Sequence, residues 1–209
     1  MYSDNPHDLV LIFDFGNVLI EWNPRFLYSK LFHGDEEAME RFLEEVRFSD
    51  WNILQDAGRP FAEAIEEACA EFPQYCELIR AYDTRWDESI AGPIWPTVQI
   101  VAQLKEMGYS LHGLSNWSVE KFEITRPRYE FFGWFDSILI SGEVGINKPD
   151  PRIFQILLDR IGRQPTECLL IDDSLPNIEV AYHLRFHTIH YRSSEQLRAE
   201  LHERGILKD

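Results

Sequence analysis

Four short polar clusters in this sequence each follow an apolar, β-branched run, and together they hold the residue types of phosphoryl-transfer chemistry. Asp14 ends "LVLIFD"; Ser115 and Asn116 follow "SLHGL"; Lys148 lies in "SGEVGINKPDP" after "SILI"; Asp172 and Asp173 follow "CLLI". Carboxylates gathered at one place repel one another, and their pKa values rise unless a cation joins them. An oxygen-only set, without His or Cys nearby, favours Mg²⁺ over zinc. A lysine, a serine hydroxyl and free N–H groups at helix starts suit the oxygens of a phosphate. The combination points to phosphoryl transfer with one carboxylate as nucleophile. Singly, each cluster reads as a turn, a helix cap or a solvated charge. Only their joint placement carries the argument.

That placement needs elements to make it. Strand-like runs end at Phe13, Leu114, Ile140, Ile171 and Tyr191, with helical patterns between them. Asp150 and Pro151 predict an N-cap and first helical residue, with a stop near Gly162. Ser174 is expected to cap a helix running to about Leu184, and Ser193 with Gln196 resembles a capping box. Strands alternating with helices predict a doubly wound, Rossmann-like parallel α/β sheet, whose ligands bind beyond the carboxyl ends of its strands.

Residues 22–92 break this rhythm. They hold no convincing strand, only amphipathic stripes: Met39, Phe42, Leu43, Val46; then Phe61, Ala64, Ile65, Ala68, Phe72; then Tyr75, Leu78, Ile79, Tyr82. The expected organisation is a catalytic core of residues 1–21 and 93–209 with an all-helical insertion at 22–92, "AGPIWP" being the return linker.

The 209 residues, 44% of them apolar, suffice for one core carrying such an insertion. A formal charge of −16 opposes nucleic acid or an anionic membrane as partner. The polar start "MYSDNPHD" and the lack of a membrane-length apolar run lead to an expectation of a cytoplasmic protein. Three cysteines without metal-type spacing read as buried free thiols of a reducing compartment. A monomer and a homodimer stay equally open.

"IFDFGNVL", "GLSNWS", "NKPDP" and "LLIDDS" resemble the four ordered motifs of the haloacid dehalogenase-like (HAD) hydrolase superfamily, and the segment 22–92 is similar to its first type of helical cap. The resemblance implies a phosphatase of small phosphorylated metabolites with Asp14 as nucleophile, forming an aspartyl-phosphate. It implies that Ser115 and Lys148 hold the transferring group, with Asn116 in the same cradle. It also implies that Asp14, Asp172 and the carbonyl of Gly16 bind Mg²⁺, with Asp173 acting through water, and that the cap closes over the site.

Position 16 departs from the usual pattern, which has a second Asp there as general acid and base, a role worth about 10²–10⁴-fold. A subgroup hydrolysing sugar phosphates resembles this chain in its Asp-x-Gly-Asn-Val opening. Glycine here reads as a turn residue that lets the carbonyl reach the metal. Leaving-group protonation would then fall to solvent, another side chain or the substrate, favouring good leaving groups such as an anomeric sugar phosphate. Two alternatives stand beside the phosphatase. A dehalogenase would use the same aspartate on carbon, but that branch usually carries an aromatic at position 16 and Ser-x-Asn in place of the acidic pair. A catalytically weak binding protein gains little from keeping a nucleophile. For specificity, Trp51, near Asp50 and Gln55, is a weak candidate against plain cap packing. The aromatics of "RYEFFGWF" read as core rather than as an oligomer contact.

Overall fold

The computed structural model describes residues 9–208, so the polar start "MYSDNPHD" lies outside the described residues. The described residues form seven strands: β1 (Val10–Phe13), β2 (Ile20–Trp22), β3 (Ile90–Pro93), β4 (Ser110–Ser115), β5 (Ser137–Ile140), β6 (Cys168–Asp172) and β7 (His187–His190). Five of them make one parallel sheet in the order β5-β4-β1-β6-β7. The order reverses at β1, so the ends of β4, β1 and β6 lie side by side where ligands of such sheets bind.

Alternation along β1 builds both faces of the sheet. Val10 and Ile12 join Leu114, Leu170 and the α9 (Pro151–Ile161) residues Ile153, Phe154 and Leu157 on one face. Leu11 and Phe13 face the other way, into a larger core with Val101, Leu104, Leu197 and Leu201. The last four come from α6 (Trp95–Glu106) and α11 (Ser194–Glu203). That second core runs on without interruption into α1 (Pro24–Leu31), α2 (Glu36–Glu45), α3 (Phe48–Asp56), α4 (Phe61–Glu71) and α5 (Cys76–Thr84) through Leu27, Phe42, Phe48, Phe61 and Tyr82. Shorter helices α7 (Val119–Thr125) and α8 (Ser141–Val144) follow β4 and β5, and α10 (Leu175–His183) follows β6.

The doubly wound α/β reading holds, and its details are corrected in several places. β4 and β6 each run one residue past the apolar stretch, because Ser115 and Asp172 still pair with Ile140 and His190 in the ladder, where side-chain polarity is irrelevant. The segment 22–92 is flanked by two unforeseen strands, β2 and β3, paired antiparallel. Gly92 and Pro93 disguise β3, since both disfavour strands by propensity. Helices α1 and α3 were also missed. Asp150 caps α9 through the Arg152 N–H and Gly162 ends it in the left-handed region, as expected. Ser174 opens α10 without a side-chain bond, giving its N–H instead to Asp172 Oδ1 at 2.8 Å. Only half of the Ser193 box forms: Ser193 accepts from the Gln196 N–H, but the Gln196 side chain accepts from Arg192.

The cysteine expectation is overturned for two residues. Cys69 and Cys76 form a disulfide with Cα atoms 4.6 Å apart, because the turn Pro73–Tyr75 folds α5 back onto α4 and brings them together. Cys168 is a buried free thiol. Phe131, Phe132 and Phe135 are core, as read. No helix among the described residues is long and apolar enough to cross a membrane.

Phe15, directly after the candidate nucleophile, is fully buried and locks the site loop to the sheet. Its ring meets Phe132 and Phe135 edge-on, with centroids 5.0 and 5.2 Å away, and lies over Gly113 of β4. A Cβ at Gly113 would stand 2.2 Å from Phe15 Cζ. Gly113→Ala is therefore expected to cost about 1–3 kcal/mol through overpacking. Urea denaturation should show a lower midpoint at unchanged slope; an unshifted midpoint would mean that Phe15 is free to move aside.

Candidate active site

Asp14 leaves β1 with its own N–H bonded to Ile171 O at 2.9 Å, which ties this position to β6. Its Oδ1 accepts from the Phe15 N–H and from Ser115 Oγ, both at 2.7 Å. Oδ2 lies 3.0 Å from Lys148 Nζ. The same ammonium donates to Asp172 Oδ2 at 2.6 Å and to Leu114 O at 2.8 Å. Asp172 in turn accepts from Asn177 Nδ2 at 3.0 Å on both oxygens. Three strand ends and one loop thus meet around a buried lysine.

Oxygens of Asp14, Asp172 and Asp173 lie within 4.8 Å of one another. Burial raises the Asp14 carboxyl, the Lys148 charge lowers it, Asp172 and Asp173 raise it again, and the Ser115 bond lowers it; the net result is upward. Burial and the Asp172 charge likewise raise Asp173. Burial works against the Lys148 charge, but the two carboxylates more than offset this, so its pKa rises. Such a set of hard oxygens, held close and short of positive charge, fits a hard divalent cation.

The residues singled out in the sequence fall into three groups. Asp14, Ser115, Lys148, Asp172 and Asp173 come together. Asn116 lines the cleft but spends its side chain on Lys148, donating to its O at 2.9 Å and accepting from its N–H at 2.8 Å. It clamps the lysine loop through these two bonds. Trp51 turns away from the cleft: its Nε1 donates to Ala64 O at 3.1 Å and its ring packs among Phe48, Phe61 and Tyr82. Of its neighbours, Asp50 is exposed and Gln55 is buried.

The turn ascribed to Gly16 is made one residue later. Gly16 does not have a positive φ, and a Cβ there would meet no atom within 4 Å. Asn17 takes the left-handed conformation, φ 53°, and its Oδ1 accepts the Trp22 N–H at 3.1 Å. Asparagine tolerates that region well. Neither the backbone nor the packing, then, demands glycine at position 16.

The cleft encloses about 620 Å³, a volume suited to a small ligand. Besides the strand-end residues it is lined by Asn17, Trp22, Arg25, Asn52, Asp56 and Asn177. Asn177 was legible in retrospect, since "DDSLPN" brings it back under Asp172 in the first turn of α10. Asn52 and Asp56, spaced i, i+4 on α3, gave no signal because α3 itself was missed.

A family model for the haloacid dehalogenase-like hydrolases matches residues 9–182. Over 92% of this chain and 94% of its own length, the sesquiterpene phosphatase of Aspergillus oryzae is 24% identical. Other relatives are longer: the chain spans only 33%, 13% and 46% of three it matches. A HAD family enzyme of Bacteroides thetaiotaomicron, solved with magnesium and inorganic phosphate, superimposes with TM-score 0.68 at 23% identity, covering 88% of this chain and 94% of that one. An L-2-haloacid dehalogenase of Xanthobacter autotrophicus shares the fold at TM-score 0.61 and 15% identity, covering 95% and 84%.

Asn177 holds Asp172 in place from behind, and an outer partner of this kind is typically worth about 10–100-fold in metal affinity. Calorimetric titration with Mg²⁺ alone should show a loss of that size in Asn177→Ala. Because the raised carboxyls must be deprotonated to bind, affinity should increase with pH and binding should release protons. Equal affinity in the variant would mean that Asn177 has no such role.

Proposed function

We propose a phosphatase activity for this chain, which belongs to the haloacid dehalogenase-like hydrolase family. The reading is a Mg²⁺-dependent hydrolysis of a small phosphorylated metabolite through an aspartyl-phosphate on Asp14. The observation that carries it is the packing of Asp14, Asp172 and Asp173 within 4.8 Å beside Lys148. Attack on carbon needs no cation, and an acidic pair at that spot would only add repulsion to a dehalogenase site. Attack on a phosphate dianion does need positive charge, and this donor set is suited to supply it.

Asp14, Asp172, Asp173 and the Gly16 carbonyl would hold the metal, which when bound neutralises the carboxylates and draws charge from the phosphoryl oxygens. Ser115 Oγ, bonded to Asp14 Oδ1, fixes the rotamer of the nucleophile. Lys148 orients that carboxylate and offsets the charge of the incoming group. Asn116 keeps the lysine loop in register. Asp14 then carries the phosphoryl group until water displaces it. In this reading residues 1–21 and 93–209 are the catalytic core, and 22–92 form a cap whose helix α3 selects the leaving group.

Turnover in heavy-oxygen water separates attack on phosphorus from attack on carbon. The label is expected in released phosphate, with the Asp14 carboxylate unlabelled by peptide mass spectrometry, and activity should vanish in excess chelator. Label in Asp14, or full activity in chelator, would overturn the assignment.

A further inference from the structure

We propose that Asp56, on α3, is the proton donor and acceptor of this enzyme, replacing the acid that position 16 lacks. The inference rests on the phosphatase reading and deepens it. Of the titratable side chains lining the cleft, Asp14, Asp173 and Lys148 belong to the charge cluster, and Arg25 stays cationic and pairs with Glu40 at 2.5 Å. Asp56 is the one remaining titratable group among the described lining residues.

Its location matches the missing function. A recess of about 50 Å³ opens beside Gly16 and is walled by Trp22, Asn52, Asp56, Trp86, Asn116 and Trp117. Gly16 forms one wall, where a Cβ would meet nothing within 4 Å, and Asp56 forms another. Position 16, with open space around a Cβ, and Asp56 thus line one and the same recess.

Asp56 is also built to stay there. Asn52 Nδ2 donates to its Oδ2 at 3.0 Å, and Tyr82 OH donates to Asn52 Oδ1 at 3.0 Å, so a buried relay sets the carboxyl from behind. Its backbone is pinned to the core: Ser141 Oγ donates to Asp56 O at 2.5 Å while accepting the Trp117 N–H at 2.9 Å. Asn147 Nδ2 donates to Ile53 O at 2.6 Å. Beyond the helix end, Gly58 (φ 91°) approaches Gly142 so closely that a Cβ would stand 2.9 Å from Gly142 O. A merely solvated acid needs none of this.

The carboxyl's environment agrees. Burial raises its pKa to about 7, the Ser118 amide holds it down somewhat and the negative charge of Asp14 raises it. From the neighbouring elements, Asp14 on the sheet side and Tyr82 behind Asn52 are the titratable groups that act with it. A carboxyl raised in this way is suited to give and then take a proton.

In the first step Asp14 forms its bond to phosphorus as the bond to the leaving oxygen breaks, and the Asp56 proton passes to that oxygen. In the second, water attacks phosphorus and gives its proton to the Asp56 carboxylate. The Asp14–phosphorus bond then breaks, returning both aspartates to their starting state and releasing phosphate.

The test compares an alkyl phosphate, a poor leaving group, with p-nitrophenyl phosphate, a good one. Asp56→Asn should lower kcat/KM on the alkyl ester by about 10²–10⁴-fold and on the aryl ester far less. The fall of the wild-type alkyl-ester rate above about pH 7 should disappear in the variant. Gly16→Asp introduced into Asp56→Asn should restore much of the alkyl-ester rate, since the backbone and space at position 16 admit it. Equal losses on both esters with an unchanged pH profile and no rescue would overturn the proposal while leaving the phosphatase intact. Failure of the wild type to release phosphate from either ester would overturn both.

Discussion

A buried ammonium held between two buried carboxylates governs how the site is built. Lys148 Nζ has no exposure and bridges Asp14 and Asp172 at 3.0 and 2.6 Å. Removing three charges from water costs several kcal/mol per ion, so the arrangement persists only if every partner is held in place. The sheet order does that holding. Asp14 and Asp172 stand at the ends of neighbouring strands, Ser115 ends the strand on the other side, and Leu114 O takes another of the lysine's protons. Asn116 and Asn177 fix the lysine backbone and the Asp172 carboxylate. A net charge remains unbalanced in the form of three carboxylates against one lysine, and that imbalance is what a divalent cation would correct.

The same economy explains why the site is divided between the sheet and the helices of 22–92. The strand ends and the Lys148 loop present Asp14, Lys148 and Asp172 bonded to one another, with Asp173 beside them. Across the cleft from them stand Asn52 and Asp56 of α3, Trp22 of β2 and Arg25 of α1. Two core side chains, Ser141 and Asn147, take up carbonyls near the end of α3 and so couple it to the loops that carry Trp117 and Lys148.

Much of this was legible in the sequence, for identifiable reasons. Apolar runs followed by Asp14, Ser115, the Lys148 loop and Asp172/Asp173 gave the strands, their parallel arrangement and the polar residues gathered at their ends, because burial on both faces writes an unmistakable apolar pattern. The stripes on α2, α4 and α5 were likewise periodic enough to read. Legibility failed where tertiary context decides. β3 contains Gly92 and Pro93, and α3 starts from Arg47 at φ 49° without a capping side chain, so neither shows by propensity. Missing α3 meant missing Asp56. The Cys69–Cys76 pair escaped because only the fold-back of α5 on α4 brings them together. Gly16 was misread because its neighbour Asn17, not the glycine, adopts the left-handed turn.

The proposed phosphatase stands or falls with phosphoryl transfer to Asp14. Rapid acid quench of the wild type turning over a phosphate ester with Mg²⁺, followed by peptide mass spectrometry, reads that transfer. The expected result is a phosphorylated, acid-stable and base-labile carboxylate on the peptide containing Asp14, formed as fast as the leaving group appears. Phosphate released with no modified peptide at any quench time, or a phosphoryl group on another residue, would rule out Asp14 as the carrier.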